Sequence, residues 1–320
     1  MPASELSPEI VALGEPMAEF AAEQRGRLGG VRTFRRGFGG DTANFIVAAA
    51  RMGARCGYVT RLGDDEFGRA FLLLWAQEGV DTRHVIVEPG ARTGVYFISR
   101  HDGGHDFTYY RGDSAASRLR PKDLAPAYLA GTKVLHTSGI TQAISGTARA
   151  AAAEAVRIVR NAGGAVSYDV NLRPRLWPVE SAHPVIEESL AGATLAFLSE
   201  EDAALLYPGA DAPEVLRRVL DRGPRIAVLK RGGLGCAVAA STGERYELPA
   251  WPVEVVDTTG AGDAFAGAFV AAWLGGAGLE DAGRFANAVG ALTATGLGAV
   301  APIPTREQVV QFIRERQARA

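Results

Sequence analysis

Only two of the 320 residues are cysteines, Cys56 and Cys236, far apart and without metal-ligand spacing. That excludes a disulfide framework or a zinc cluster, and both read as small buried apolar residues of a reducing compartment. The five histidines (His84, His101, His105, His136 and His183) form no H-E-x-x-H pattern. His101 and His105 flank a Gly/Asp-rich turn and are expected to be solvated. A net charge of −2 gives no bulk attraction to nucleic acid or to an anionic membrane. No apolar run reaches the roughly 18 residues a membrane-spanning helix needs. The opening MPASELSPEI has no basic segment followed by an apolar one, so a cytoplasmic location is expected. The phosphate-loop pattern G-x-x-x-x-G-K-[ST] is missing, which removes that template. The first apolar run ends in Gly14-Glu15-Pro16 rather than G-x-G-x-x-G, which argues against a dinucleotide-binding dehydrogenase. No internal repeat or low-complexity linker divides the chain, so a single domain over 1–320 is expected.

What is present is a hydrophobic content of 47%, enough for a large core. Short apolar runs at 9–13, 56–60, 133–138, 165–170, 194–199 and 225–230 read as buried strands. Between several of them lie runs with helical spacing, notably 43–52, 69–77 and 145–161, with Asp41 or Thr42 as the cap of the first. Strands alternating with helices from 133 to 230 give a mainly parallel sheet with helices on both faces, an α/β fold. Residues 236–240 and 244–248 read as an antiparallel pair, and helices from Asp263, Leu279 and Thr305 close the chain. Two segments do not fit the core. The stretch 15–38 is polar and Gly/Arg-rich, and 93–99 with 105–111 forms a hairpin turning at Asp102-Gly103-Gly104. Together they suit a β-flap over a site. Alternation places Tyr109 and Arg111 on one face of that hairpin. Cross-strand aromatic packing with a solvated arginine would also satisfy the pattern.

The most informative stretch is DTTGAGDAFAGAF at 257–269. A polar turn with Gly260 and Gly262 leads into an Ala-rich helix, so backbone N–H groups and the helix dipole converge on one anion site. Asp263 at that place can be a helix-terminal acid or a base taking a proton from a hydroxyl that attacks a bound phosphate. A second glycine turn, Gly39-Gly40-Asp41-Thr42-Ala43-Asn44, is either structural or a close backbone approach to ligand hydroxyls, with Asn44 as a polar partner.

The segment DTTGAGDAFAGAF resembles the C-terminal signature of the ribokinase-like (PfkB) carbohydrate kinases. GGDTAN, followed by a strand and the loop GDDEFG at 63–68, resembles the same family's N-terminal signature. The resemblance implies a ribokinase-like three-layer α/β/α fold with a β-flap lid, segments about 15–38 and 92–113, and ATP with Mg²⁺. It implies Asp263 as catalytic base, Gly260, Ala261 and Gly262 as the anion hole, and Gly39, Gly40 and Asn44 against sugar hydroxyls.

YYRGDSAAS (109–117), VLHTSGIT (134–141) and DVNLRPRLW (169–177) together resemble the branch acting on 2-keto-3-deoxygluconate. NLRPRLW also occurs in fructokinase-like sequences, so a fructokinase or other sugar kinase is the alternative. The branch resemblance places Tyr96, Tyr109, Arg111 and Arg173 around an acid sugar, whose carboxylate needs a guanidinium partner. Arg173 and Arg175 could instead face phosphate. Ser199, Lys230, Gly232, Gly235, Gly260, Gly262 and Asn287 are implied on the ATP side. Asn287 is the polar contact beside adenine, or a helix-face residue satisfied by water. Ser199-Glu200-Glu201-Asp202 departs from the family's Asn-x-x-Glu, which leaves a metal role for Asp202 open. Asp257, with Thr258, is a candidate K⁺ site. A homo-oligomer through the lid edge is expected.

Overall fold

The computed structural model describes residues 7–101 and 104–318; Asp102 and Gly103 of the expected hairpin turn lie outside them. Strand β1 (Ile10–Leu13) is apolar at every position because both of its faces are covered. It lies between β4 (Cys56–Gly63) and β8 (Val134–Ser138), parallel to both. On one side the sheet ends with β5 (Val85–Glu88) beside β4. On the other it continues through β9 (Ala165–Asp169), β10 (Leu195–Ser199) and β11 (Ile226–Lys230), all parallel. It finishes with the antiparallel strands β12 (Cys236–Ala240) and β13 (Arg245–Leu248). This is the expected mainly parallel sheet.

Helices cover both faces. One face packs against α1 (Asp41–Arg51), α2 (Glu66–Gln77), α9 (Ala261–Leu274) and α10 (Leu279–Thr293). The other carries α3 (Pro126–Ala130), α5 (Gly146–Asn161), α6 (Val179–Gly192), α7 (Glu200–Leu206) and α8 (Ala212–Asp221). A short α4 (Gly139–Ala143) leads out of β8, and α11 (Arg306–Gln317) ends the described chain. Helix α9 is apolar all round because it lies inside its layer, buried from Ala264 to Val270. At Gly267 a Cβ would stand 2.3 Å from the Phe45 carbonyl, so α1 and α9 touch backbone to side chain-free backbone. That close crossing sets the N-terminal turns of the two helices side by side.

A second sheet of four strands, β3 (Phe34–Gly39), β2 (Met17–Arg25), β6 (Gly94–His101) and β7 (Gly104–Tyr110), stands apart from the first. Its strands fall within the segments expected to form the flap, but the reading of 15–38 as polar and outside the core is corrected in part: strand β2 is mostly buried, since β3 and β6 flank it. Three helix starts also differ from expectation. Gly40, not Asp41 or Thr42, occupies the cap of α1, and Asp41 is its first residue. Helix α2 begins at Glu66, capped by the Asp65 side chain. Helix α9 begins at Ala261, ahead of Asp263. His101 is not simply solvated, for its Nε2 lies 2.9 Å from the Asp106 carboxylate. Both cysteines are buried and unpaired. Among the described residues no helix is long and apolar enough to cross a membrane.

Candidate active site

The turn before α9 is fixed by its own residues. Gly260 has φ 75°, a left-handed conformation that disfavours side chains, and a Cβ there would approach the Ala299 carbonyl oxygen to 2.9 Å. One Asp257 oxygen accepts from the Thr259 amide (3.0 Å) and hydroxyl (2.7 Å), and the other from the Gly298 amide (3.0 Å). The Asp257 carboxylate thereby ties the turn to the 298–299 segment.

Asp263 makes no cap bond. Its Oδ2 accepts instead from Asn44 Nδ2 at 2.8 Å, across the α1–α9 crossing. Burial and the neighbouring Asp41 push its carboxyl up, Lys230 pulls it down, Asp169 pushes and the Asn44 hydrogen bond restrains, leaving it at about 7. A carboxylate raised to that range is a stronger proton acceptor than a solvated one and still ionises near neutrality.

Lys230, at the end of β11, donates to Asp169 Oδ2 at 2.6 Å. A Cβ on Gly262 would lie 3.5 Å from its Nζ, so the ammonium stands at the glycine turn itself. Burial works against its charge, but Asp169 and Asp263 outweigh it and keep the amine protonated. The α9 N-terminus, the bare Gly262 backbone and Lys230 form a cradle for an anion.

The lid supplies the opposite wall. Tyr96 is buried and donates its hydroxyl to Glu19, which also accepts from the Ala299 amide at 3.2 Å. Burial raises Glu19 most; Tyr96 opposes this, Asp257 adds to it and Ala299 opposes it, and the carboxyl stands at about 7. Gly39 is bare because a Cβ would lie 2.1 Å from the Tyr96 hydroxyl. In this structure its glycine therefore serves the lid packing. Tyr109 pairs with Tyr96 across β6 and β7, the rings 5.9 Å apart. Arg111 is not solvated. Its guanidinium binds the buried Glu15 carboxylate, which also receives the Ser114 hydroxyl. Arg173 and Arg175, exposed in the loop after β9, join it around Tyr109. All three lower the phenol's pKa, although burial still leaves it raised. Arg173 donates to the Leu172 carbonyl (3.1 Å) and Arg175 to that of Phe107 (3.4 Å). Neither has a carboxylate within ion-pair distance among the described residues. A chain of neighbours thus runs from Asn44 and Asp263 through Tyr96 and Tyr109 to Arg111 and Arg173.

The remaining expected residues have more structural duties. Ser199 caps α7 in a reciprocal box with Asp202, whose Oδ1 also accepts from the Leu172 amide at 2.8 Å. Both Asp202 oxygens serve backbone, so the side chain holds the β9 and β10 loops together and offers no open metal ligand. Asn287, the expected adenine contact, is held by the chain's own backbone through its amide nitrogen. Its Nδ2 donates to the carbonyls of Leu248 (3.1 Å) and Pro249 (3.2 Å), bracing the end of β13. Gly232 (φ 52°) and Gly235 (φ 95°) bound a tight turn after β11, next to Lys230 in the chain. Among the described residues no three His, Cys, Asp or Glu side chains converge to hold a metal. A Mg²⁺ carried mainly by nucleotide phosphates needs only one or two carboxylates besides water; the Asp169 Oδ1, buried without a partner beside Lys230, is an oxygen that would be open to it.

Sequence reasoning did not single out Glu15, Glu19 or Asp169, and took Asp41 for a cap. The available signal was two glutamates inside the otherwise apolar segment ALGEPMAEF, since charges in a buried strand demand partners.

A mainly parallel sheet, a second small sheet beside it and a buried carboxylate with a raised pKa at a glycine-rich helix start are features that fit a phosphotransferase of small molecules. The chain belongs to the pfkB family of carbohydrate kinases, whose description matches residues 7–306. It is 35% identical over 310 residues to the 2-dehydro-3-deoxygluconokinase of Thermoproteus tenax, covering 95% of this chain and 94% of that one. It is also 34% identical over 316 residues to Fructokinase-1 of Oryza sativa subsp. japonica, covering 95% and 97%. A solved E. coli structure assigned as ribokinase II, in complex with ATP and Mg²⁺, superposes with a TM-score of 0.89 at 28% identity, over 96% and 99% of the two chains. The fold is ribokinase-like, and the protein is a carbohydrate kinase.

Proposed function

We propose that the chain transfers the γ-phosphoryl of ATP to the terminal hydroxyl of 2-keto-3-deoxygluconate, giving 2-keto-3-deoxy-6-phosphogluconate. The observation that carries this reading is the pairing of a base at one end of the pocket with an arginine cluster at the other. Tyr96 links the two ends, since its phenol feels both Tyr109 and Asp263. A sugar acid laid along that line puts its carboxylate among Arg111, Arg173 and Arg175 and its terminal hydroxyl at Asp263.

Asp263 takes the hydroxyl proton as the sugar oxygen bonds to the γ-phosphorus and the bond to the ADP oxygen breaks. Asn44 holds the carboxylate in place. Amides of the Gly260-Ala261-Gly262 turn and the Lys230 ammonium stabilise the charge on the transferring group. Mg²⁺, when bound with ATP, supplies further neutralisation of the phosphates. The lid segments, about 15–38 and 92–113, exclude water, which otherwise competes as acceptor. Ser199, Gly232 and Gly235 border the nucleotide in this reading.

The neutral-sugar alternative has its own support. Arg111 is already neutralised by Glu15, and a fructokinase is as similar as the deoxygluconate kinase. In the acid-sugar reading the unpaired charge therefore rests on Arg173 and Arg175. The outer lid face, with Phe20 and Phe97 stacked at 5.2 Å and Tyr110 65% exposed, supports pairing of two chains through the lid. A single domain acting in the cytoplasm completes the proposal.

The test is ADP release with ATP and Mg²⁺ against 2-keto-3-deoxygluconate, 2-keto-3-deoxygalactonate, fructose, ribose and gluconate in parallel. A preference for 2-keto-3-deoxygluconate is expected. A preference for fructose overturns the acid-sugar pocket and leaves the kinase intact.

A further inference from the structure

Asp41 is the first residue of α1, 8% exposed, and its Oδ1 is buried with no partner. A buried acceptor without a donor is costly, most of all when it is charged, so such a group in a native site points to a missing donor. Several observations locate it. Asn44, three residues on and hence on the same helix face, donates to Asp263. Asn171 donates to the other Asp41 oxygen at 3.3 Å, from a backbone with φ 37° that a non-glycine residue rarely adopts. Asp41 also acts on the charges of Asp263, Asp169 and Tyr109. Its open oxygen therefore belongs to the space between the base, the loop after β9 and the lid tyrosine. Asn44 Oδ1, likewise buried without a partner, is a second open acceptor on the same helix face.

We infer that Asp41 is a specificity-determining residue that accepts a hydrogen bond from a substrate hydroxyl close to the one that is phosphorylated. The inference rests on the kinase reading of this site and deepens it. Two acceptors and, among the described residues, Lys230 as the cation frame the base end, while the arginines frame the lid end. The pocket is thus electrostatically polar along its length. Hydroxyl-rich carbons are favoured beside Asp41 and Asn44, and a substrate carboxylate is repelled from that end and drawn to the other. This orients an acid sugar one way round, with its hydroxyl tail at Asp263. A neutral sugar with hydroxyls at its phosphorylated end meets the same Asp41 acceptor and lacks only the arginine anchor.

Asp41 also has an electrostatic effect on the base. Four groups besides the helix dipole bear on Asp263: Asp41 from α1, Asp169 from β9, Lys230 from β11 and the Tyr96 phenol from β6. Removing the Asp41 charge leaves the Lys230 attraction less opposed. Asp263 then ionises at lower pH.

The experiment compares wild type, Asp41→Asn and Asp41→Ala on whichever sugar the substrate panel shows to be phosphorylated, and on its analogue deoxygenated at the carbon next to the reacting one. In the wild type the analogue loses kcat/KM by roughly 10- to 100-fold, the range of a charge-assisted hydrogen bond. In Asp41→Ala the parent sugar falls by a similar factor and the analogue falls no further, while KM for ATP stays within about twofold. The acid limb of kcat/KM moves to lower pH in Asp41→Asn. Equal losses for sugar and analogue in both variants, with an unmoved acid limb, overturn the assignment and make Asp41 a packing residue. Should Asp41→Ala fail to fold, Asp41→Asn carries the same two readouts. Because the analogue is matched to the sugar actually used, a neutral-sugar outcome in the panel does not decide this test.

Discussion

Asn44 and Asp263 are 219 positions apart in the chain, and their side chains meet at 2.8 Å. The two glycine signatures of the sequence come together through this contact. It is possible because Gly267 lets α1 approach α9 closely enough for their first turns to share one pocket.

Asp263→Asn keeps the Asn44 neighbour and the shape of the turn but cannot take a proton. We expect kcat to fall by roughly 10²-fold or more, the usual contribution of a positioned base, with ATP binding retained. Wild-type kcat in this variant would remove Asp263 from the chemistry. In the wild type, kcat/KM should rise with pH through about 7, because the base acts only when ionised. A flat profile between pH 5.5 and 8 would contradict that ionisation.

Arg111 and Arg173 should separate under mutation. Arg111→Ala leaves the Glu15 carboxylate buried and unpaired, at a cost of about 3–5 kcal/mol, so the thermal midpoint should drop by many degrees. Arg173 is exposed and pairs with no carboxylate among the described residues. Arg173→Ala should change stability by only about 0.5 kcal/mol. It should raise KM for an acid sugar roughly tenfold while leaving that for fructose nearly unchanged. Equal effects on acid and neutral sugars, measured by initial rates, would show that Arg173 reads no carboxylate.

Glu19 makes a stability prediction. Its folded carboxyl stands at about 7, above the 4.5 of a free glutamate. The unfolded chain therefore loses its proton first as pH rises. Glu19 contributes stability that is fully present below about 4.5, falls between there and 7, and is gone above 7. Glu19→Gln can still accept from Tyr96 and Ala299, and it removes that loss. Its stability relative to wild type, followed through the thermal midpoint, should rise from pH 5 to pH 8 by about 3 kcal/mol at most. A difference independent of pH would mean that Glu19 is ionised throughout.

The sequence carried much of this architecture. Continuous apolar runs such as IVAL at β1 can only be strands covered on both faces, and their alternation with helices fixes a parallel sheet. The start of α9 was legible because Gly260 and Gly262 stand at the junction of a polar turn and an apolar helix. The hairpin was legible from its alternation, which put Tyr109 and Arg111 on one face; the register that sets Tyr109 opposite Tyr96 came from the structure.

What only the tertiary structure decided is how each polar group is used. A carboxylate's role depends on which donors the fold brings within about 3 Å, and those donors come from distant segments. Asn287 turned onto the backbone of Leu248 and Pro249, Asp202 onto Leu172 and Ser199, and Arg111 onto Glu15. Asp41 was displaced from the cap to the pocket wall by a single residue, because Gly40 took the cap position. Local pattern sets where helices and strands form, since hydrophobic periodicity and backbone preference act over a few residues. Charge pairing acts through space, and only the folded chain determines which of these groups are left open to a substrate.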